Sequence, residues 1–225
     1  MNTILSEIEA ILFDIDGTLS DSDDYIIEEV SHRLRFLHFL WGEQKIKKFA
    51  RALVSIGMFN FNALYHWIDR MGIDDFFAKT FPHKKNLAHQ GFEKDHSLID
   101  GVKEMLLELQ GSYHLAIVSV RSAQGVERFL QQFSLHSFFE VKVSAQTCYY
   151  TKPFPHPLLY AAEKMHVEPA HCLMVGDTAV DILAGKAAGM KTIAVLSGFG
   201  TLKELRKAGS DHILSSAPDL LPLLR

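Results

Sequence analysis

From about His96 to the C-terminus, short apolar runs alternate with stretches whose apolar residues recur at helical spacing, which limits the chain to few architectures. Val102, Met105, Leu106 and Leu109 mark a helix stopped by Gly111, and Tyr113 to Val120 reads as a strand. Val126, Phe129, Leu130 and Phe133 make the next helix, and Glu140 to Ala145 the next strand. A helix then opens near Pro157, a favoured first-turn residue, and runs to about His166. The strand Cys172 to Asp177, an alanine-rich helix to Gly189 and the strand Lys191 to Leu196 follow; a short strand, Asp211 to Leu214, and a C-terminal helix end the series. Strands joined through helices lie parallel, because a parallel neighbour is reached only by a crossover, and such a sheet is covered on both faces. The expected fold class is α/β, a Rossmann-like doubly wound parallel sheet.

One apolar run stands apart from this series. Ala10 to Phe13 reads as a buried strand, and a long helical block separates it from the rest. Acidic and cap-forming residues Asp21 to Asp24 precede Ile26, Val30, Leu34, Leu37 and Trp41 at helical spacing. Ile46, Phe49, Ala50, Leu53 and Val54 mark a second helix; Phe61, Leu64, Tyr65 and Ile68 mark a third, ended by Gly72. Residues 20–95 therefore read as an all-α insertion, and residues 1–19 with 96–225 as the α/β core.

The first strand ends abruptly in Asp14-Ile15-Asp16-Gly17-Thr18-Leu19. Alternation along a strand would point Asp14 and Asp16 the same way, Gly17 lets the backbone turn out, and Thr18 adds a hydroxyl. Two carboxylates held this close repel unless a cation or a shared proton offsets them. Oxygen donors without a nearby Cys/His cluster favour magnesium over zinc. The bland alternative is a strand end with solvated aspartates. Other polar residues fall at strand ends or just beyond: Ser119, Lys152, and Asp177 with Asp181. Taken singly, Ser119 reads as a helix cap, Lys152 as a surface lysine and Asp181 as a helix-start carboxylate. Together they occupy the edge where open parallel sheets bind ligands. The helix dipole is worth on the order of 0.3–1 kcal/mol per carboxylate, too little to hold four of them together without a metal.

Composition narrows the function further. A net charge of −4 gives no reason to expect nucleic-acid binding. Glu7 and Glu9 interrupt the N-terminal apolar residues, and no apolar run approaches the roughly 20 residues a membrane helix needs. Cys148 and Cys172 form neither a metal-ligand pattern nor a disulfide framework. A cytoplasmic protein with no membrane partner is expected. Between Arg33 and Arg51 the insertion carries Arg33, Arg35, Lys45, Lys47, Lys48 and Arg51 against Glu43 alone. This run is either a solvated helix face or a basic rim that steers anionic substrates.

Asp14-Ile-Asp16-Gly-Thr, Ser119 after an apolar strand, Lys152-Pro153 and Gly176-Asp177-Thr178-x-x-Asp181 together resemble, in order, the four motifs of the haloacid dehalogenase-like (HAD) hydrolase superfamily. Asp100-Gly101-Val102, the Pro-rich run after Lys152 and Ala187-Ala188-Gly189-Met190 resemble its phosphoglycolate-phosphatase-like branch. The likeness covers residues 8–22 and 98–215, and the helical insertion is similar by position to that branch's cap domain. It departs at Val120, where many relatives carry Asn, while Arg121 follows where Lys or Arg is common.

This resemblance implies a magnesium-dependent phosphatase acting on a small phosphorylated metabolite. Asp14 would be the nucleophile that forms an aspartyl-phosphate, and Asp16 the general acid and base. Ser119 and Lys152 would hold the phosphoryl oxygens, with Thr18, Val120 and Arg121 also lining the substrate site. Magnesium would be held by Asp14, the Asp16 carbonyl and Asp177, with Asp181 supporting directly or through water. A hexose phosphomutase would use the same site. A phosphonate hydrolase would need an imine-forming cap lysine such as Lys47 or Lys48, and a catalytically silent binding domain is the non-enzyme alternative. A dehalogenase is disfavoured, since halide release needs no acid such as Asp16. The protein is expected to be a monomer or a homodimer.

Overall fold

The computed structural model describes residues 7–21 and 97–224. The chain divides into a unit of Met1–Asp23 with Asp95–Arg225 and a unit of Asp24–Lys94, and every described residue belongs to the first. The helices expected over residues 22–95 and their basic run lie outside the described residues.

The first strand, β1 (Ala10–Phe13), is followed by a two-residue strand β2 (Ser20–Asp21) that pairs antiparallel with β3 (Ser97–Leu98). This ribbon joins residues on either side of the insertion. Then come α1 (Val102–Leu109), β4 (His114–Val118), α2 (Ala123–Gln132), β5 (Val141–Val143) and α3 (His156–Met165). After them follow β6 (Cys172–Gly176), α4 (Ala179–Ala187), β7 (Lys191–Val195), α5 (Leu202–Ala208), β8 (His212–Leu214) and α6 (Leu221–Leu224). Each strand of the expected α/β series is present, shorter by a residue or two at its ends. Helix α5 was not among the expected elements. Its signal is nevertheless local: Thr201 and Glu204 form a capping box and Gly209 closes the last turn at positive φ.

Six strands form one parallel sheet in the order β5-β4-β1-β6-β7-β8. The chain moves outward from β1 through β4 to β5 and then returns to the other side of β1 at β6. This reversal is the topological switch point, where ligands bind beyond the carboxyl ends of the strands. Successive strand residues feed opposite faces. Ile11, Phe13, Leu115, Ile117, Leu173 and Val175 pack with α1 and α2, whereas Ala10, Leu12, Ala116, Val118 and Met174 pack with α3 and α4. Fully burying each large side chain here is worth about 1.5–3 kcal/mol. The two-sided core explains why the strands read as continuous apolar runs. It also holds the loops at their carboxyl ends on a rigid base.

Candidate active site

Asp14 follows β1 directly, and its amide donates to the Val175 carbonyl of β6 at 3.0 Å. That bond carries the strand pairing one residue past the end of β1 and fixes the carboxylate over the switch point. Gly17, at φ 72°, then reverses the chain, and the amides of Thr18, Leu19 and Ser20 all donate to the Ile15 carbonyl. Thr18 is wholly buried in this turn, and its hydroxyl has no hydrogen-bond partner among the described residues.

Two segments bring charge to Asp14, the loop before α3 and the junction of β6 with α4. Lys152, in the loop between β5 and α3, is only 5 % exposed. Its Nζ lies 3.0 Å from Asp14 Oδ1 and 2.6 Å from Asp181 Oδ1, and it donates to the Val118 carbonyl at 2.8 Å. Two of the three ammonium protons are thereby hydrogen-bonded, to Asp181 and to the Val118 carbonyl. The contact with Asp14 is Coulombic, because Asp14 Oδ1 receives no well-directed hydrogen bond. Asp181 is the third residue of α4, and its Oδ2 accepts from the Thr178 amide at 3.0 Å and the Thr178 hydroxyl at 2.6 Å. One oxygen of Asp181 therefore caps the helix start and the other grips Lys152. Asp177 is fully buried after β6. One carboxylate oxygen from each of Asp14, Asp177 and Asp181 falls within 4.8 Å of the others. Three buried carboxylates in that space can hold a hard divalent cation.

The electrostatics point the same way. Burial pushes the Asp14 carboxyl up to about 7, and the neighbouring Asp181 and Asp16 charges add to the rise against Lys152, which lowers it. Burial alone would lower the Lys152 ammonium, but Asp14 and Asp181 outweigh it and raise it above its ordinary value. Lys152 is thus a fixed positive charge, while the Asp14 carboxylate stands in need of a second one.

Asp16 is held by a different cation. Arg121 Nε donates to its Oδ2 at 2.8 Å and Nη2 to its Oδ1 at 2.6 Å, a two-pronged pair. The Arg121 amide also donates to the Ser119 hydroxyl at 3.1 Å. Ser119, 4 % exposed after β4, does not cap α2; Ser122 does, accepting from the Gly125 amide at 3.0 Å. Val120 is half-exposed in the same loop.

Sequence reasoning passed over the segment after β7. Ser197 donates its hydroxyl to the Gly17 carbonyl at 2.7 Å, and the Phe199 amide donates to Asp177 Oδ2 at 2.8 Å. A Cβ on Gly198 would overlap the Asp177 carboxylate. The signal was Ser-Gly-Phe-Gly directly after a strand, where glycines permit close backbone approach.

A family model for haloacid dehalogenase-like hydrolases matches residues 11–195, and the chain belongs to this family of enzymes. Pyrophosphatase PpaX of Bacillus mycoides is 31 % identical over 220 residues, 97 % of each chain. Among solved structures, a predicted phosphoglycolate phosphatase from Haemophilus somnus superposes with a TM-score of 0.66 at 20 % identity, covering 98 % of this chain and 100 % of that one. A HAD-superfamily hydrolase of subfamily IA from Geobacter sulfurreducens gives 0.62 at 22 % identity, with 98 % of each chain covered. Those structures establish the fold. Among the described residues no helix is long and apolar enough to cross a membrane, and Cys148 and Cys172 form no disulfide.

Proposed function

We propose that this hydrolase is a magnesium-dependent phosphatase that cleaves a small phosphorylated metabolite through an aspartyl-phosphate on Asp14. The buried Asp14, Asp177 and Asp181 carboxylates gathered around Lys152 are the observation on which this rests. An Asp14 oxygen attacks phosphorus while the bond to the leaving oxygen breaks, and Asp16 supplies that oxygen with a proton. Asp16 then takes a proton from water, which attacks phosphorus, breaks the bond to Asp14 and releases phosphate. Ser119 donates its hydroxyl to a phosphoryl oxygen, and Lys152 exchanges its contact with Asp14 for another. Asp14, Asp177 and the Asp16 carbonyl would hold magnesium, with Asp181 in support, and the ion would neutralise charge on the transferring group. The reading extends to a cytoplasmic monomer or homodimer whose cap, residues 20–95, sets specificity.

The relative named pyrophosphatase makes pyrophosphate the first substrate to try, followed by small phosphomonoesters. Purified protein should release inorganic phosphate from at least one of them with Mg2+ and lose that activity in EDTA. Turnover undiminished by EDTA, or a requirement for an activating sugar bisphosphate, would overturn the reading.

Gly198→Ala probes the Asp177 carboxylate. Its methyl would push that carboxylate from the Phe199 amide, so Mg2+ affinity measured calorimetrically should fall about tenfold to a hundredfold. Overpacking should also cost about 1–3 kcal/mol of stability. Unchanged Mg2+ binding would show that Asp177 holds no metal.

A further inference from the structure

We infer that Arg121 is a positioning residue that acts through Asp16, rather than a substrate-binding residue. This deepens the phosphatase reading and rests on it. The resemblance placed Arg121 against the substrate, but its guanidinium engages both oxygens of Asp16. The guanidinium is itself restrained from several directions. It lies over the Phe129 ring of α2, 5.4 Å from the centroid. Its backbone is tied on both sides: its amide donates to the Ser119 hydroxyl and its carbonyl accepts from the Ala145 amide at 2.9 Å. Ser122 then caps α2 and anchors the following residue to the helix.

A planar fork on a carboxylate fixes the rotation of that carboxylate, which a single-point ammonium cannot do. Asp16 stands in a loop beyond β1, and its side chain is 28 % exposed. The fork restrains that rotation and ties Asp16 to the loop that carries Ser119. The acid–base group and a phosphoryl-binding hydroxyl are thereby held in one rigid unit. Proton transfer needs hydrogen-bond reach to the leaving oxygen, so a freely turning Asp16 would fail in the step that protonates it.

The test is a double-mutant cycle read on two classes of ester, an alkyl phosphate that needs a proton on its leaving oxygen and a nitrophenyl phosphate that needs it far less. Arg121→Gln should lower kcat on the alkyl ester about tenfold or more beyond its effect on the nitrophenyl ester, with KM within about twofold of wild type. Arg121→Lys keeps the charge without the fork and should not restore alkyl-ester turnover. In an Asp16→Asn background, Arg121→Gln should cause no additional loss, because the residue it acts through is already gone. Independently of turnover, the Arg121 Nε proton should exchange slowly in wild type and rapidly in Asp16→Asn. Equal losses on both esters, additive losses in the cycle, rescue by Arg121→Lys or a raised KM with unchanged kcat would each overturn the inference while leaving the phosphatase reading intact. Equal proton exchange in the two proteins would also overturn it. Wild-type protein inactive on every ester would instead overturn the phosphatase reading.

Discussion

Asp14→Asn is expected to lower turnover on the order of 10⁴-fold or more, while leaving the metal-free protein at least as stable as wild type. The catalytic loss follows from removing the nucleophile. The retained stability follows from burial. Asp14 is 6 % exposed, and burying an ionised carboxylate there is costly enough to push its pKa to about 7 from an ordinary 3.8. An amide of the same shape avoids that cost, and Lys152 keeps Asp181 and the Val118 carbonyl as partners. The sign can be read from pH. With the folded value above the unfolded one, the folded state binds this proton more tightly, so its favourable contribution is complete below about 4 and is lost as pH rises through about 7. Thermal melts in chelator should therefore show wild type falling relative to Asp14→Asn between pH 4 and 8. Added Mg2+ should bind more tightly as pH rises through the same window, because the ion displaces the proton. Parallel melting curves for the two proteins would contradict this account, and so would a phosphatase rate within tenfold of wild type.

How much of this site was legible in the sequence depends on the range of the interactions. Strands β1, β4, β6 and β7 were legible because burial on two faces makes each a continuous apolar run. Asp14, Ser119 and Asp177 were legible because each directly follows such a run, and topology alone then places them together. The roles of individual oxygens were not. Arg121 and Asp16 are 105 residues apart, and Ser197 and Gly17 are 180 apart; no local pattern encodes which donor meets which acceptor. The ribbon of Ser20–Asp21 with Ser97–Leu98 escaped for another reason, since two-residue strands carry no periodicity. Helix α5 is the opposite case, as its Thr201–Glu204 capping box is entirely local and readable.

Lys152→Met is expected to destabilise the metal-free protein by about 3–5 kcal/mol, the cost of leaving buried carboxylates without their cation. Methionine matches the length of the lysine stem, so packing is largely kept and the loss reports the charge together with the hydrogen bond to the Val118 carbonyl. In wild type the ammonium contacts Asp14 at 3.0 Å and Asp181 at 2.6 Å, with Asp177 in the same buried cluster. The raised Lys152 value makes this contribution constant at any pH below the ordinary lysine value of 10.5. What varies is the state of Asp14: acidification neutralises it, so the deficit of Lys152→Met should shrink as pH falls below about 7. A divalent cation offers the alternative compensation. Saturating Mg2+ should therefore raise the melting temperature of Lys152→Met more than that of wild type, because the ion then takes over the lysine's part as counter-charge to the cluster. Turnover should stay low even when Mg2+ restores the fold, since the ion replaces the lysine's charge but not its hydrogen bond to the phosphoryl oxygen. A variant as stable as wild type in chelator, or one that Mg2+ stabilises no further than wild type, would mean that Lys152 does not serve as the counter-charge of this cluster.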